Sequence, residues 1–282
     1  MYKWTIWLAL VLITPIVSAQ VTTDSDQDLN QIDVVENLGQ KIPLDLNFVD
    51  DHGDSVSLAQ YFNHDKPVIL VLGYYRCPML CNLVFNAVVD GVNQLDWTPG
   101  DKFQIVTVSI NPEETPELAA AKKANYLSSF DKPVDESSWM FLVGAGSQSK
   151  ALADAVGFKY FYDEERDEYA HPAVAFVLTP DGVISRYLYG IQFTKTDLKL
   201  SLLEASEGKI GSPLDRVLLY CYHYDPDARG YGVVAANVMK VGGAVTLAAL
   251  GLFLSLLWYG EKLRRRRAAA RAEAREQVRE RV

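Results

Sequence analysis

Two cysteines four positions apart, Cys77 and Cys81 in the run Gly73-Tyr74-Tyr75-Arg76-Cys77-Pro78-Met79-Leu80-Cys81, are the residues of this chain best suited to chemistry. On a helix, side chains at i and i+4 share a face with Cβ atoms about 5–6 Å apart, whereas a relaxed disulfide needs roughly 3.5–4.5 Å. A single metal ion spans the wider gap more readily than a sulfur–sulfur bond. A disulfide stays open if Cys77 is the N-cap, because that residue stands outside the regular helix. The pair therefore suits metal and redox chemistry alike.

The elements that must position the pair flank it. Pro67-Val68-Ile69-Leu70-Val71-Leu72 is a continuous apolar run too short for an ordinary helix, and reads as a strand buried on both faces. Past the cysteines, Leu80, Val84, Val88, Val92 and Leu95 recur at helical intervals until Trp97-Thr98-Pro99-Gly100, with Pro78 fitting the first helical position. Upstream, residues 44–49 and 55–57 flank the turn-rich Asp50-Asp51-His52-Gly53-Asp54 as a hairpin. Downstream come a strand over 103–110 and a helix opened by Thr115 and Pro116 and running to about 130. A strand over 140–143 and a helix over 147–157 follow, then strands over 173–178 and 183–189 around Thr179-Pro180-Asp181-Gly182, and a last helix over 196–207. This order predicts an α/β domain, a mixed sheet with helices on both faces.

Both ends of the 282-residue chain point to a membrane. Residues 1–19 carry Lys3, an apolar stretch and Val17-Ser18-Ala19, a signal peptide with cleavage after Ala19. Residues 241–259 hold no charge and at 1.5 Å per residue cover about 28 Å, enough for one transmembrane helix. Trp258 and Tyr259 suit the headgroup level. Lys262 and Arg264 to Arg267 place that end in the cytoplasm by the positive-inside bias. Residues 261–282 carry nine Lys/Arg against four Asp/Glu, a net +5, which leaves −14 on the rest of a chain whose total is −9. Beside a span, the basic block suits anionic lipid, and no nucleic-acid partner is expected. The expected organisation is a signal peptide over 1–19, a flexible lead-in over 20–40 and a domain over 41–210. A connector over 211–240, a transmembrane helix over 241–259 and a basic cytoplasmic tail over 260–282 complete it. An exported chain with three cysteines is no disulfide scaffold, since pairing Cys77 with Cys81 leaves Cys221 over.

The segment Tyr75-Arg76-Cys77-Pro78-Met79-Leu80-Cys81, with His171 far downstream and Val177-Leu178-Thr179-Pro180-Asp181-Gly182 after it, resembles the Sco/SenC family of thioredoxin-fold copper proteins. The resemblance covers about residues 45–207. It implies a thioredoxin-like fold and copper ligands at Cys77, Cys81 and His171. It also implies copper delivery or thiol reduction during assembly of the copper A centre of cytochrome c oxidase subunit two. An envelope copper donor or thiol reductant would be a further partner, in a bacterial inner membrane with the domain in the periplasm. In relatives a DP-containing acidic segment follows the next strand. Here that stretch is Asn111-Pro112-Glu113-Glu114-Thr115-Pro116, where helix capping suffices as an explanation. Many relatives carry their span ahead of the domain, whereas here it follows.

The donor chemistry agrees with that implication. Thiolates favour Cu(I) and neutral imidazole suits either copper state, so two sulfurs and one nitrogen can hold both. Arg76 and the helix N-terminus should favour the Cys77 thiolate, which would also make Cys77 the nucleophile in thiol exchange. Three rival functions are a general periplasmic thiol-disulfide oxidoreductase using the Cys77–Cys81 disulfide, a redox or copper sensor, and a peroxidase. The last needs a Thr three residues before the reactive Cys, where this chain has Tyr74. His52 and His64 read as solvated surface residues, and Asp163, Glu164, Glu165, Asp167 and Glu168 as a charged loop. Cys221 and His223 are a candidate second soft-metal pair, with a buried thiol beside a surface histidine as the plainer reading.

Overall fold

The computed structural model describes residues 32–62, 65–77, 80–207, 219, 222–225 and 230–280. The expected signal peptide lies outside the described residues, as do His64, Pro78 and Cys221.

A short β1 (Asp33–Val34) precedes the antiparallel hairpin of β2 (Asn47–Val49) and β3 (Ser55–Ser57). Strand β4 (Val68–Gly73) is buried along its whole length, which its uninterrupted Val-Ile-Leu-Val-Leu requires. It leads through residues 74–77 toward α1 (Leu80–Asn93), whose buried face comprises Cys81, Val84, Phe85, Val88 and Val92 among others. After β5 (Gln104–Ser109), α2 (Pro116–Leu127) starts as expected: Thr115 is extended, its hydroxyl accepts the Leu118 N–H, and Pro116 opens the helix. Then come β6 (Trp139–Leu142), α3 (Gly146–Ala155), β7 (Phe158–Lys159), β8 (Phe161–Asp163) and β9 (Glu168–Ala170). The domain continues with β10 (Val174–Leu178), β11 (Ile184–Tyr189) and α4 (Lys195–Ala205), and the chain with β12 (Tyr222–Asp225), β13 (Gly230–Val233) and α5 (Ala235–Glu280).

The main sheet runs β11-β10-β4-β5-β6. β4, β5 and β6 are parallel, and β10 is antiparallel to both β4 and β11. This is the mixed sheet flanked by helices that the element order predicts and the thioredoxin-like fold that the resemblance implies. Register matters for the site: Gly73 pairs with Ser109, so the loops leaving β4 and β5 emerge side by side. The β2–β3 turn is fixed to α2 by a buried ion pair, Lys123 Nζ lying 2.9 and 3.0 Å from the two Asp51 carboxylate oxygens.

Four features differ from the sequence reading. The flexible lead-in expected through residue 40 is tied down from Asp33 onward, because β1 pairs with β7, and Val35, Gly39 and Ile42 donate N–H bonds to Gly157, Ile184 and Gly182. The acidic stretch before His171 is the exposed turn of a hairpin, β8–β9, whose flanking strands the sequence did not announce, with the Tyr162 and Tyr169 rings 5.1 Å apart across it. The connector contains the hairpin β12–β13, docked on α4 by Tyr231, whose N–H donates to Asp197 and whose hydroxyl donates to Glu204. Finally, α5 extends to Glu280 because the Ala, Arg and Glu beyond the apolar stretch are strong helix formers with no stop signal. Within Ala236–Lys262 an 18-residue stretch reaches a mean hydropathy of 2.0 and is unburied, which makes these 27 residues a candidate membrane span.

Gly157 gives a direct test of the N-terminal docking. Its φ is +68°, and a Cβ there would lie 1.8 Å from the Val35 carbonyl oxygen. Gly157→Ala is expected to cost about 1–2 kcal/mol from the left-handed backbone alone and to undock residues 33–35, read as new protease cleavage near Val35.

Candidate metal centre

Three elements bring Cys77, Cys81 and His171 together. Cys77 ends the loop that leaves β4, Cys81 lies in the first turn of α1, and His171 sits between β9 and β10. One ligand atom from each, two sulfurs and a ring nitrogen, lie within 4.8 Å of one another, and all three residues are buried. Among the described residues no other group of three or more His, Cys, Asp or Glu side chains converges in this way.

The local hydrogen bonds explain the convergence. Cys77 Sγ accepts the Cys81 backbone N–H at 3.3 Å, so Cys77 acts as a sulfur cap on the first turn of α1. Cys81 Sγ in turn accepts the Tyr74 N–H at 3.3 Å and lies 2.9 Å from His171 Nε2. His171 Nδ1 is 3.0 Å from the Pro172 carbonyl oxygen. A carbonyl only accepts, so Nδ1 carries the proton, and Nε2 presents a lone pair toward the sulfurs. This is the tautomer a metal needs, fixed by the bond on the far nitrogen. The ring is seated edge-on to Tyr74, centroids 6.1 Å apart, and against Phe158 at 5.7 Å. Close packing adds to this: a Cβ on Gly73 would lie 3.1 Å from Cys81 Sγ.

No disulfide joins Cys77 to Cys81. Burial first, then the hydrogen bond and charge of Cys77, raise the Cys81 pKa well above the usual thiol range. Binding a soft cation must therefore displace that proton. Tyr74 is also raised, by burial and then by its hydrogen bond to Cys77, so it stays a phenol.

A buried carboxylate that the sequence reading assigned no role organises the loop. Glu114 accepts the N–H groups of Tyr75 at 2.8 Å and Arg76 at 2.7 Å, together with the Ser109 hydroxyl at 2.7 Å. Helix capping accounts for Thr115 but not for its neighbour. The available signal was topological: parallel β4 and β5 end side by side, so an acid just after β5 faces the amides just after β4. Asn111 does not reach that loop through its side chain but accepts the Glu113 N–H at 2.9 Å.

The remaining candidates fall elsewhere. His52 is exposed beside Asp51, 3.7 Å away. Of the acidic run, Asp163 pairs with Arg166 at 2.6 Å on the hairpin surface. His223 lies in β12.

A family model described as SCO1/SenC matches residues 36–199 of the chain. Among solved structures, the chain is similar to a putative electron transfer protein from Aquifex aeolicus VF5, at 25% identity over 61% of this chain and 96% of that one, with a TM-score of 0.54. It is also similar to copper-bound ScoI from Arabidopsis thaliana, at 19% identity over 60% and 98% of the two chains, TM-score 0.45. Copper-bound ScoI from Bradyrhizobium japonicum matches at 22% identity over 61% and 98%, TM-score 0.39. No curated protein sequence matches.

Proposed function

The chain belongs to the SCO1/SenC family, and from that premise we propose that it is a membrane-tethered copper chaperone. Cys77, Cys81 and His171 hold one copper ion as cargo and release it by ligand exchange. The observation that carries this reading is the convergence of two sulfurs and one imidazole lone pair within 4.8 Å in a buried setting. The set matches copper chemistry: two soft thiolates hold Cu(I), and a neutral imidazole accommodates either oxidation state. The client is the copper A site of cytochrome c oxidase subunit two, supplied with copper by an envelope donor. The candidate span of α5, the apolar N-terminal stretch and the basic C-terminal block support a single-pass protein of a bacterial inner membrane, with its domain in the periplasm.

A second reading, reduction of the client's thiols, is favoured by two cysteine sulfurs that lie within 4.8 Å of each other with no disulfide joining them. His171→Ala separates the two. Losing a direct ligand should weaken copper binding at least as much as the roughly tenfold to hundredfold typical of an outer-shell partner, whereas thiol exchange by Cys77 and Cys81 should survive. Copper affinity of the full chain and its rate of reducing a disulfide-bonded peptide are the two measurements. An unchanged copper affinity with lost reductase activity would overturn the chaperone reading.

A further inference from the structure

Lys122 is the residue beside the centre that the copper reading leaves unused. It lies on α2, partly buried, with Nζ 3.0 Å from the Tyr75 carbonyl oxygen and bonded to Asn82 Oδ1. Asn82 in turn donates to the Cys77 carbonyl at 3.1 Å and accepts from the Tyr126 hydroxyl. The ammonium thus grips the cysteine turn from both sides: the carbonyl two residues before Cys77, and through Asn82 the carbonyl of Cys77 itself. The Phe85 and Tyr126 rings, with centroids 6.0 and 5.8 Å from Nζ, close the remaining side.

The neighbouring Lys123 has its charge neutralised by Asp51. Lys122 differs. Among the described residues it forms no ion pair, and the two groups that accept from it are neutral. The other charge nearby, Glu114, is engaged by two backbone amides and the Ser109 hydroxyl. Burial lowers the Lys122 pKa, and the charges of Cys81 and Cys77 act to raise it; by geometry the ammonium is held on the backbone that carries Cys77, through the Tyr75 carbonyl and Asn82.

An anion is what this cation awaits. Two thiolates and a neutral imidazole around Cu(II) sum to zero charge. The same ligands around Cu(I), after uptake of one electron, sum to −1. We propose that Lys122 is a positioning residue whose charge biases the Cys77–Cys81–His171 site toward the anionic Cu(I) form. This rests on the metal-site reading above and goes beyond it in naming what sets the oxidation state of the cargo.

The test compares Lys122→Gln, which keeps a donor without charge, and Lys122→Arg, which keeps the charge, with the unaltered full chain in detergent. Lys122→Gln is expected to lower the ratio of Cu(I) to Cu(II) affinity about tenfold, equivalent to a fall of about 59 mV in a one-electron potential measured with redox mediators. Lys122→Arg should hold the ratio within about threefold. Silver(I), a redox-inert monovalent probe, should lose affinity relative to Cu(II) in the Gln variant to the same extent. An unchanged ratio in Lys122→Gln, or an equal fall in Lys122→Arg, overturns the proposal while leaving the metal site intact. Failure of the unaltered chain to bind either copper or silver instead overturns the metal-site reading, and this proposal with it.

Discussion

Cys77→Ser and Cys81→Ser are each expected to lower Cu(I) affinity by at least about a hundredfold, so that stoichiometric copper is lost under competition with a soluble thiol. The size follows from ligand softness. A serine hydroxyl is a hard, neutral donor at neutral pH, and it replaces one of two anionic sulfurs in a three-donor set. The structure adds a difference between the two. Cys77 Sγ also accepts the Cys81 N–H, a bond the serine oxygen can replace as an N-cap, so α1 should keep its start in Cys77→Ser. Cys81 is more deeply seated, taking the Tyr74 N–H and facing His171 Nε2 at 2.9 Å, so Cys81→Ser disturbs the loop and the imidazole together. Copper per chain after dialysis, with circular dichroism as a folding control, reads both. Full copper retention by Cys77→Ser would sink the proposed function.

Much of the framework is legible locally. β4 and α1 announce themselves by a switch from a continuous apolar run to helical spacing, β10 and β11 by Thr179-Pro180-Asp181-Gly182, and α2 by its Thr-Pro start. The two cysteines stand out by spacing alone. His171 does not: nothing local distinguishes it from His52, and it entered through the resemblance to Sco proteins. The structure supplies the missing physical reason, since β9 delivers His171 beside Tyr74 and Phe158 at the end of β4 where the cysteines emerge. Hairpin β8–β9 was hidden because the charges of Asp163 to Glu168 outweigh the alternation of three-residue strands, whose aromatic residues supply the pairing. Nothing in the sequence marks Lys122 and Lys123, two adjacent lysines after Ala119-Ala120-Ala121. Lys123 is nonetheless buried against Asp51, and Lys122 turns toward the cysteine loop.

Glu114→Ala is expected to destabilise the domain by about 1–3 kcal/mol and to weaken copper binding about tenfold to a hundredfold. The stability figure comes from the buried Tyr75 N–H, which loses its acceptor at roughly 1–3 kcal/mol for a buried polar group left unsatisfied, while the Ser109 hydroxyl can turn to the Asn111 carbonyl oxygen 3.2 Å away. The Arg76 N–H is nearer solvent and can turn to water, which keeps the total below a simple sum. The affinity figure is the usual effect of removing a group that orients a ligand without touching the metal. Glu114 fixes the two amides immediately before Cys77, so its loss lets the first sulfur drift while Cys81 stays on α1 and His171 stays at the end of β9. Glu114→Gln retains one carbonyl oxygen, which in the Oε2 position accepts from both Tyr75 and Ser109, and should fall between the two extremes. The adjacent Glu113, which is exposed, serves as the control: Glu113→Ala should stay within about 0.5 kcal/mol of the unaltered chain. Denaturant unfolding and competitive copper titration measure the two effects. If Glu114→Ala matched Glu113→Ala in both, the carboxylate would not be what holds the cysteine loop in its binding conformation.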